Sequence, residues 1–255
     1  MSWSIGAGLE GHGVVVTGAA GGIGQAVVGC FAAVGARVCA VDLDQAAVDS
    51  VIAATEDPAR HLAIASDITD LSHQPDVLRH ACQVFGRFDV LAHLAAVVVR
   101  HPSLDDVTEA DWDFQNTVNL KATFFLDRAA GQLMKEQGLG GRIINFTSQA
   151  WWTGGLAGSI VYAATKGGIV SLTRGFARAF AADGITVNAV APGGVETPMA
   201  RSQSKESLEA FIGQTPVGRL AEPLEIAAAV VFLASQHATY ITGATLNMTG
   251  GQLMY

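Results

Sequence analysis

The feature that most constrains the fold of this chain is a glycine-rich loop near its start, residues 17–24, with the sequence TGAAGGIG. The apolar run Val14–Val16 precedes the loop, and a helix-compatible stretch, residues 25–34, follows it. Glycines allow the backbone to approach a ligand closely, and the first turn of a helix offers free N–H groups at a positive dipole end. The order of strand, glycine turn and helix therefore predicts a phosphate-binding turn in an α/β fold.

An acidic residue, Asp42, ends the second apolar run and lies twenty residues beyond Gly22. A carboxylate at this place can accept hydrogen bonds from a ribose diol, and its charge repels a 2′-phosphate. No Arg or Lys lies in the glycine loop or closely follows Asp42. These features predict NAD rather than NADP as the cofactor.

Tyr162 lies fourteen residues after Ser148, and Lys166 follows Tyr162 by four residues, about one helical turn. Side chains at i and i+4 share a helix face, so the two residues place an ammonium close to a phenol. A nearby cation favours phenolate and lowers a phenol pKa that is ordinarily about 10. Tyr162 is therefore a candidate general acid/base.

Short β-rich runs alternate with helical patterns along the chain, which predicts right-handed crossovers and a parallel sheet. Most of the runs are apolar almost throughout, as is typical of strands that helices cover on both faces. We expect a single doubly wound, Rossmann-type α/β domain over residues 1–255, with cofactor contacts mainly from residues 10–147 and catalytic and substrate contacts mainly from residues 148–255. The seven strands are predicted near residues 13–17, 37–42, 61–65, 89–93, 142–147, 185–190 and 244–248.

Two segments between the predicted strands carry further expectations. Residues 108–111 resemble a helix start, and they predict a long helix that carries Asn119 and ends at about Gln137. Residues 199–216 are polar and rich in Ser and Gln, and we expect them to form a mobile lid over the substrate.

Composition excludes several classes of function. The chain of 255 residues has a net charge of −8, which gives no electrostatic footprint for nucleic acid or an anionic membrane. Its apolar runs fall far short of the roughly twenty residues that a membrane span needs, so we expect a cytoplasmic protein. The three cysteines and seven histidines have no ligand spacing, which favours buried reduced thiols over disulfides and predicts no metal site. His101 is the histidine that we consider as a lining of the substrate pocket.

These residues together resemble the short-chain dehydrogenase/reductase family over essentially the whole chain. TGAAGGIG matches that family's TGxxxGxG loop, and residues 188–197 resemble the loop that holds the nicotinamide. The resemblance implies a catalytic tetrad of Asn119, Ser148, Tyr162 and Lys166. It also implies a cofactor site that comprises Gly18, Gly22, Ile23, Gly24, Asp42, Leu43, Asp67, Ile68, Ala95, Ala96, Tyr162, Lys166, Pro192, Gly193, Val195 and Thr197.

The resemblance assigns a role to each of these groups. Ser148 donates a hydrogen bond to the substrate oxygen, Lys166 also bonds the nicotinamide ribose, and Asn119 holds a water that relays protons. Asp67 and Ile68 contact the adenine, while the Val195 backbone and the Thr197 hydroxyl hold the carboxamide. The family also commonly forms tetramers, so a homotetramer is expected.

One departure from the family pattern follows the fourth predicted strand. The family usually has Asn-Asn-Ala-Gly here, whereas this chain has His-Leu-Ala-Ala at residues 93–96. We expect altered local packing, with the side-chain hydrogen bonding and the approach of the backbone to the cofactor ribose changed.

The substrate is expected to be a small-molecule alcohol or ketone, best a medium-sized and largely apolar or cyclic secondary alcohol. Trp151 and Trp152 follow the candidate serine, and no Arg or Lys cluster lies near the predicted strand ends to bind an anion. The candidate substrate-binding residues are Ser148, Gln149, Trp152, Tyr162 and Met199.

Three functions fit these observations. The first is NAD-dependent interconversion of a secondary alcohol and a ketone. The second is reduction of a 3-oxoacyl thioester, which Asp42 and the acidic net charge disfavour, because such reductases generally use NADP and dock an acidic carrier. The third is an NAD-binding sensor or scaffold without turnover, for which loss of Ser148, Tyr162 or Lys166 would be expected.

Overall fold

The computed structural model describes residues 6–155, 158–201 and 205–254. Within these ranges, seven parallel strands form one sheet in the order β3-β2-β1-β4-β5-β6-β7. Each strand lies within two residues of its predicted position, so the prediction of a doubly wound parallel sheet is confirmed. The strands are β1 (Gly13–Thr17), β2 (Arg37–Asp42), β3 (Leu62–Ala65), β4 (Val90–His93), β5 (Gly141–Phe146), β6 (Ile185–Pro192) and β7 (Thr245–Met248).

Helices cover both faces of this sheet. Those of the first half of the chain are α1 (Gly22–Ala33), α2 (Gln45–Ala53), α3 (Gln74–Phe85), α4 (Glu109–Gln115) and α5 (Ala122–Gln137). Those of the second half are α6 (Ala150–Thr153), α7 (Ile160–Phe180), α8 (Pro198–Arg201), α9 (Lys205–Gly213) and α10 (Pro223–Ala234). That the whole chain forms one domain stays a prediction.

Two hydrophobic cores lie on opposite faces of the sheet because successive strand side chains point in opposite directions. In β1, Val14 and Val16 pack in the core that α1, α2 and α10 cover, whereas Val15 packs in the core beneath α3, α5 and α7. All three valines are fully or almost fully buried. A strand buried on both faces is therefore apolar at every position, which is why the run was readable as a central strand.

The strand order reverses beside β1, which pairs with β2 on one side and with β4 on the other. The loops that follow β1 and β4 leave the sheet in opposite directions, and an open crevice forms between them at the carboxyl ends of the strands. The glycine loop and residues 94–97 therefore meet at this crevice, which the topology makes the natural binding site of the fold.

The predicted long helix is present, but it contains a π-helical turn. The helix begins after Thr108, which caps it reciprocally with Asp111, and residues 116–121 form the π turn between α4 and α5. Asn119 lies in this turn and is fully buried. A π turn inside an α-helix is frequent at functional sites, and the regular 3.6-residue pattern of the sequence gives no sign of one.

The segment predicted to be a lid contains α9 and most of α8. Residues 202–204 within it lie outside the described residues, and so does the side chain of Met199. α9 packs against the loop that follows β6, since a Cβ at Gly194 would overlap the ring of Phe211. Mobility of the segment stays a prediction. In the described ranges we find no helix with the length and apolar character required to cross a membrane.

Candidate active site

The glycine loop brings its backbone close to neighbouring segments at three glycines. Gly18 has a φ of +68°, and a Cβ there would lie 2.7 Å from the backbone nitrogen of Ala95. A Cβ at Gly24 would overlap the carbonyl oxygen of Gly18, and one at Gly22 would lie 2.9 Å from the Thr197 side chain. No side chain caps the first turn of α1. This geometry fits a dinucleotide, because it exposes helix N-terminal N–H groups beside a loop that side chains do not fill.

Asp42 holds the end of β2 against the glycine loop. Its Oδ2 accepts a hydrogen bond from the Ala20 amide at 2.9 Å, and its Oδ1 accepts one from the Leu43 amide at 2.8 Å. Each carboxylate oxygen can accept a second hydrogen bond, so Asp42 can still bind a diol. The backbone contacts fix the carboxylate at the crevice and add a structural role that the sequence did not indicate.

A groove of about 790 Å³ runs along the crevice, and we call it the glycine-loop groove. Eleven of the predicted cofactor residues line it: Gly18, Gly22, Ile23, Gly24, Asp42, Leu43, Asp67, Ile68, Ala95, Ala96 and Thr197. Asp67 uses its Oδ1 to accept hydrogen bonds from the amide and hydroxyl of Thr69, at 2.8 and 2.7 Å. The groove has the place and the polar groups that an adenosine and a pyrophosphate require.

A second cavity, of about 550 Å³, continues from this groove, and we call it the Tyr162 cavity. The remaining predicted cofactor residues, Tyr162, Lys166, Pro192, Gly193 and Val195, line it together with Thr197. Ser148 and Gln149 line it as well. The groove and the cavity share Ile23, Leu94, Ala96, Val97, Phe146 and Thr197 as lining residues, so one elongated ligand can extend through both.

Ser148, Tyr162 and Lys166 meet at the Tyr162 cavity. The Ser148 side chain lies close enough to the Tyr162 phenol to lower its pKa. The Nζ of Lys166 lies 5.5 Å from the centroid of the Tyr162 ring and donates a hydrogen bond to the Phe146 carbonyl oxygen at 2.8 Å. The i, i+4 spacing thus places the ammonium beside the ring, as the sequence predicted.

The predicted electrostatic consequence of this pairing is wrong. Burial raises the pKa of Tyr162, and this effect outweighs the nearby Ser148 side chain and the charge of Arg100, both of which lower it. Lys166 does not act as a fixed cation, because its own burial lowers its pKa to about 7. The sequence shows which groups are neighbours, whereas the desolvation of both groups depends on the packing around them.

Asn119 does not line either cavity. Its side-chain amide makes two hydrogen bonds with the backbone of Val97. Oδ1 accepts one from the Val97 amide at 2.8 Å, and Nδ2 donates one to the Val97 carbonyl oxygen at 2.8 Å. A weaker bond of 3.2 Å links Nδ2 to Thr165 on α7. Asn119 therefore fastens the π turn to the loop after β4. The water-holding role that the family resemblance implies stays a prediction.

His93, which stands where the family has asparagine, connects the same π turn to the glycine loop. Its Nδ1 lies 2.6 Å from the Thr17 hydroxyl, and its Nε2 lies 3.0 Å from the Thr123 hydroxyl. Thr123 donates its own proton to the Asn119 carbonyl at 2.6 Å, so its oxygen must accept from Nε2–H, and Nδ1 accepts from Thr17. Burial and the charge of Lys166 lower the pKa of His93 to about 3, which keeps this neutral tautomer.

The altered packing that we expected at residue 93 therefore takes a definite form. We predict that His93→Asn lowers the free energy of unfolding by about 1–3 kcal/mol, because an amide that overlays Nδ1 does not extend to Nε2 and leaves the Thr123 hydroxyl unpaired. Urea denaturation would measure the change. Thr123→Val removes the same link, so the double variant should lose less than the sum of the two single losses. Strictly additive losses would contradict the chain of hydrogen bonds.

Two substrate predictions need correction, those for Trp152 and His101. Trp152 is 55% exposed, packs edge to face on Trp151 and does not line the Tyr162 cavity. The short helix α6 turns its ring away from the catalytic side, and this direction could not be read from the sequence. His101 pairs with Asp111 at 2.9 Å and does not line the cavity. Gln149 does line it, whereas the side chain of Met199 lies outside the described residues.

The expectation of buried thiols holds fully for one cysteine. Cys39 is buried, and burial raises its pKa to about 12, whereas Cys30 and Cys82 are partly exposed. Cys39 lies in the middle of β2, where both faces are covered. All three thiols are free in the structure.

Sequence reasoning missed one residue of the Tyr162 cavity. Arg100, which follows β4 and three valines, lines the cavity and lies close enough to Tyr162 to influence its pKa. α9, in the segment predicted to be a lid, contributes Ser207, Leu208, Ala210 and Phe211 to the same lining. The sequence could have pointed to Arg100, because it follows β4 and Ser148 follows the neighbouring strand β5. It did not show, however, in which direction the loop after β4 turns.

Comparison with known proteins gives the family. A family model described as Enoyl-(Acyl carrier protein) reductase matches residues 18–252. The chain is 36% identical over 244 residues to 3-oxoacyl-(acyl-carrier-protein) reductase FabG of Thermotoga maritima, with 95% of this chain and 98% of that protein covered. It is 35% identical over 248 residues to (3R)-3-hydroxyacyl-CoA dehydrogenase of Homo sapiens, with 94% and 95% covered.

A solved structure described as a short-chain dehydrogenase/reductase, glucose/ribitol dehydrogenase, from Brucella melitensis has the same fold. Its TM-score is 0.91 at 33% identity, and the match covers 98% of this chain and 100% of that one. The chain belongs to the short-chain dehydrogenase/reductase family. It is thus an oxidoreductase of the class that acts on CH–OH groups with a nicotinamide cofactor, and the predictions of family and of enzyme class are confirmed.

Proposed function

We propose that this protein interconverts a secondary alcohol and a ketone with NAD as its cofactor, and that Tyr162 is the general acid/base. The observation that supports this most directly is the meeting of Tyr162, Ser148 and Lys166 at the cavity that continues from the glycine-loop groove. A ligand that fills the groove with its nucleotide part brings its other end to these three side chains. Proton transfer and hydride transfer can then occur at one substrate carbinol.

The chain's own residues handle the proton and the orientation. In the oxidative direction, Tyr162 removes the hydroxyl proton while Ser148 donates a hydrogen bond that orients the substrate oxygen. A bound nicotinamide cofactor would supply the acceptor for the hydride of the carbinol carbon. In the reductive direction, the phenol of Tyr162 gives its proton to the ketone oxygen. Because burial raises the pKa of Tyr162, the phenol form prevails at neutral pH, which favours reduction there.

Asp42 is our basis for NAD rather than NADP. Its carboxylate lies in the glycine-loop groove, held by Ala20 and Leu43. Arg and Lys are absent from the described residues that line this groove, so a 2′-phosphate would meet a carboxylate without a compensating cation. Two acidic side chains among the lining residues, Asp67 and Asp113, strengthen the same preference.

We predict that Asp42→Ala weakens NAD binding by about 1–3 kcal/mol, the scale of a lost charge-assisted hydrogen bond, and improves NADP binding. The NAD preference should shrink or invert in steady-state assays with each cofactor. Asp42→Asn is the matched variant, since it removes the charge and keeps hydrogen-bonding atoms near Ala20 and Leu43. If Asn leaves the preference intact while Ala abolishes it, the carboxylate acts by holding the loop. A parent enzyme that uses NADP as well as NAD would refute the charge argument.

A second candidate, reduction of a 3-oxoacyl thioester, has its own support. FabG of Thermotoga maritima and the (3R)-3-hydroxyacyl-CoA dehydrogenase of Homo sapiens are both named for acyl thioester substrates, at 36% and 35% identity. The chemistry at the carbonyl would be the same, with Tyr162 as the proton donor. The net charge of −8 disfavours docking of an acidic carrier protein, so we place this candidate second.

A substrate panel separates these functions. Secondary alcohols, ketones and 3-oxoacyl thioesters would be offered with NAD and with NADP, and formation or loss of the reduced cofactor would be followed by its absorbance. We expect turnover with NAD and a simple alcohol or ketone. Turnover of thioesters alone would favour the second candidate. NAD binding without turnover of any compound would favour the third function, a sensor or scaffold. The cytoplasmic location and the homotetramer are proposals that still require direct measurement.

A further inference from the structure

The charges around the Tyr162 cavity differ in sign from those of the whole protein. The protein has a net charge of −8, yet the ionisable side chains of Arg and Lys among the described residues that line the cavity are Arg100, which carries a fixed positive charge, and the buried Lys166. Asp and Glu are absent from that described lining. A cavity with this charge attracts an anion and repels a cation, whereas a cavity for a neutral alcohol needs no fixed charge.

Arg100 is the cation that is free to bind a ligand. Lys166 is buried and donates its hydrogen bond to the Phe146 carbonyl, and its side chain is already committed to the cofactor side of the cavity in the proposed function. Arg100 has no carboxylate partner among the described residues, whereas the neighbouring His101 pairs with Asp111. An arginine that lines a cavity without a partner has five N–H donors available to a ligand.

Arg100 also lies close to the reacting end of the cavity. Its charge reaches the phenol of Tyr162, although the residue itself is largely exposed. It therefore lies at the mouth of the cavity, while Ser148 and Tyr162 lie within it. A substrate whose hydroxyl carbon lies against Tyr162 can then extend a second group toward Arg100.

We propose that Arg100 binds a carboxylate of the substrate, so that the preferred substrate is a hydroxy acid or an oxo acid. This inference rests on the proposed alcohol/ketone chemistry and specifies the substrate class. A single guanidinium matches a monoanionic carboxylate in a bidentate pair, whereas a phosphate dianion would be left with excess charge in a cavity with no other free cation in its described lining. The earlier expectation of a mainly apolar substrate considered only clusters of basic residues and missed the single arginine.

The test compares compounds with one carbon skeleton. 3-Hydroxybutanoate, its methyl ester and 3-hydroxybutyl phosphate would each be oxidised by the parent enzyme with NAD. We expect kcat/KM for the acid to exceed that for the ester by about tenfold, the scale of one charge-assisted pair at a partly exposed site. Arg100→Gln should reduce this preference to about one. Arg79→Gln, at an exposed site outside both cavities, should retain it.

A binding measurement keeps the inference testable apart from turnover. With NAD present, butanoate should raise the melting temperature of the parent protein, and butanamide should not. Arg100→Gln should abolish the shift with butanoate. No shift with butanoate, or an equal shift in the Arg100 variant, would overturn the inference. An ester or phosphate that exceeds the acid in the parent would overturn it as well. Lack of turnover for every compound, with the butanoate shift intact, would instead refute the proposed function.

Discussion

Tyr162→Phe is expected to lower turnover at least about a thousandfold, within the range that a positioned general acid/base contributes, and to leave the NAD dissociation constant nearly unchanged. The phenylalanine ring keeps the half-buried packing of Tyr162 in the cavity wall but has no exchangeable proton. Steady-state kinetics and a separate NAD titration would measure the two quantities. Tyr240→Phe is the matched control, because that phenol is fully exposed and should be silent. Turnover of the Tyr162 variant within about tenfold of the parent would remove the phenol from the mechanism.

The raised pKa of Tyr162 adds a pH dependence to this prediction. Burial favours the neutral phenol, which is the proton donor for ketone reduction. Reduction should therefore be fast at neutral pH and decline as the phenol ionises, whereas alcohol oxidation should rise with pH over the same range. The pH profiles of reduction and of oxidation should give the same apparent pKa in the parent enzyme. An oxidation rate that is flat from neutral to alkaline pH would mean that another group accepts the proton.

Strand positions, and the place of the expected cofactor residues along the groove and the cavity, could be predicted from the sequence because they depend on local patterns. The apolar run Val14–Val16 and the glycines after it are adjacent in the chain, and a doubly wound sheet brings strand ends to one edge. Asp42 was predictable for the same reason, since it ends a strand. Such local patterns therefore predict which residues lie at the crevice.

The directions of side chains after the strand ends could not be predicted in this way. Trp152 follows Ser148 closely but points away from the cavity, while Arg100 follows three valines and lines it. Both outcomes depend on how a loop packs against distant elements. The prediction that Lys166 lowers the pKa of Tyr162 failed for a related reason, because the helix spacing shows that the two side chains are neighbours but not that both are buried. The π turn around Asn119 is set by contacts with Val97, twenty-two residues earlier.

Lys166→Met should lower turnover by about a hundredfold or more and weaken NAD binding, because the residue is assigned to both the Tyr162 proton and the nicotinamide ribose. The free energy of unfolding gives an independent measurement.

Burial lowers the pKa of Lys166 to about 7 from an ordinary value of 10.5, so between these two pH values the unfolded chain binds more protons than the folded one. The cost of burying this lysine is thus largest below about pH 7 and falls as pH rises toward about 10. Lys166→Met should raise the melting temperature most at acidic pH, and the gain should shrink as pH rises. Lys135→Met, at a mostly exposed site, should show no such slope. A gain in melting temperature that does not depend on pH would show that the pKa of Lys166 is not lowered in the folded protein. An unchanged NAD affinity would refute the contact of Lys166 with the ribose.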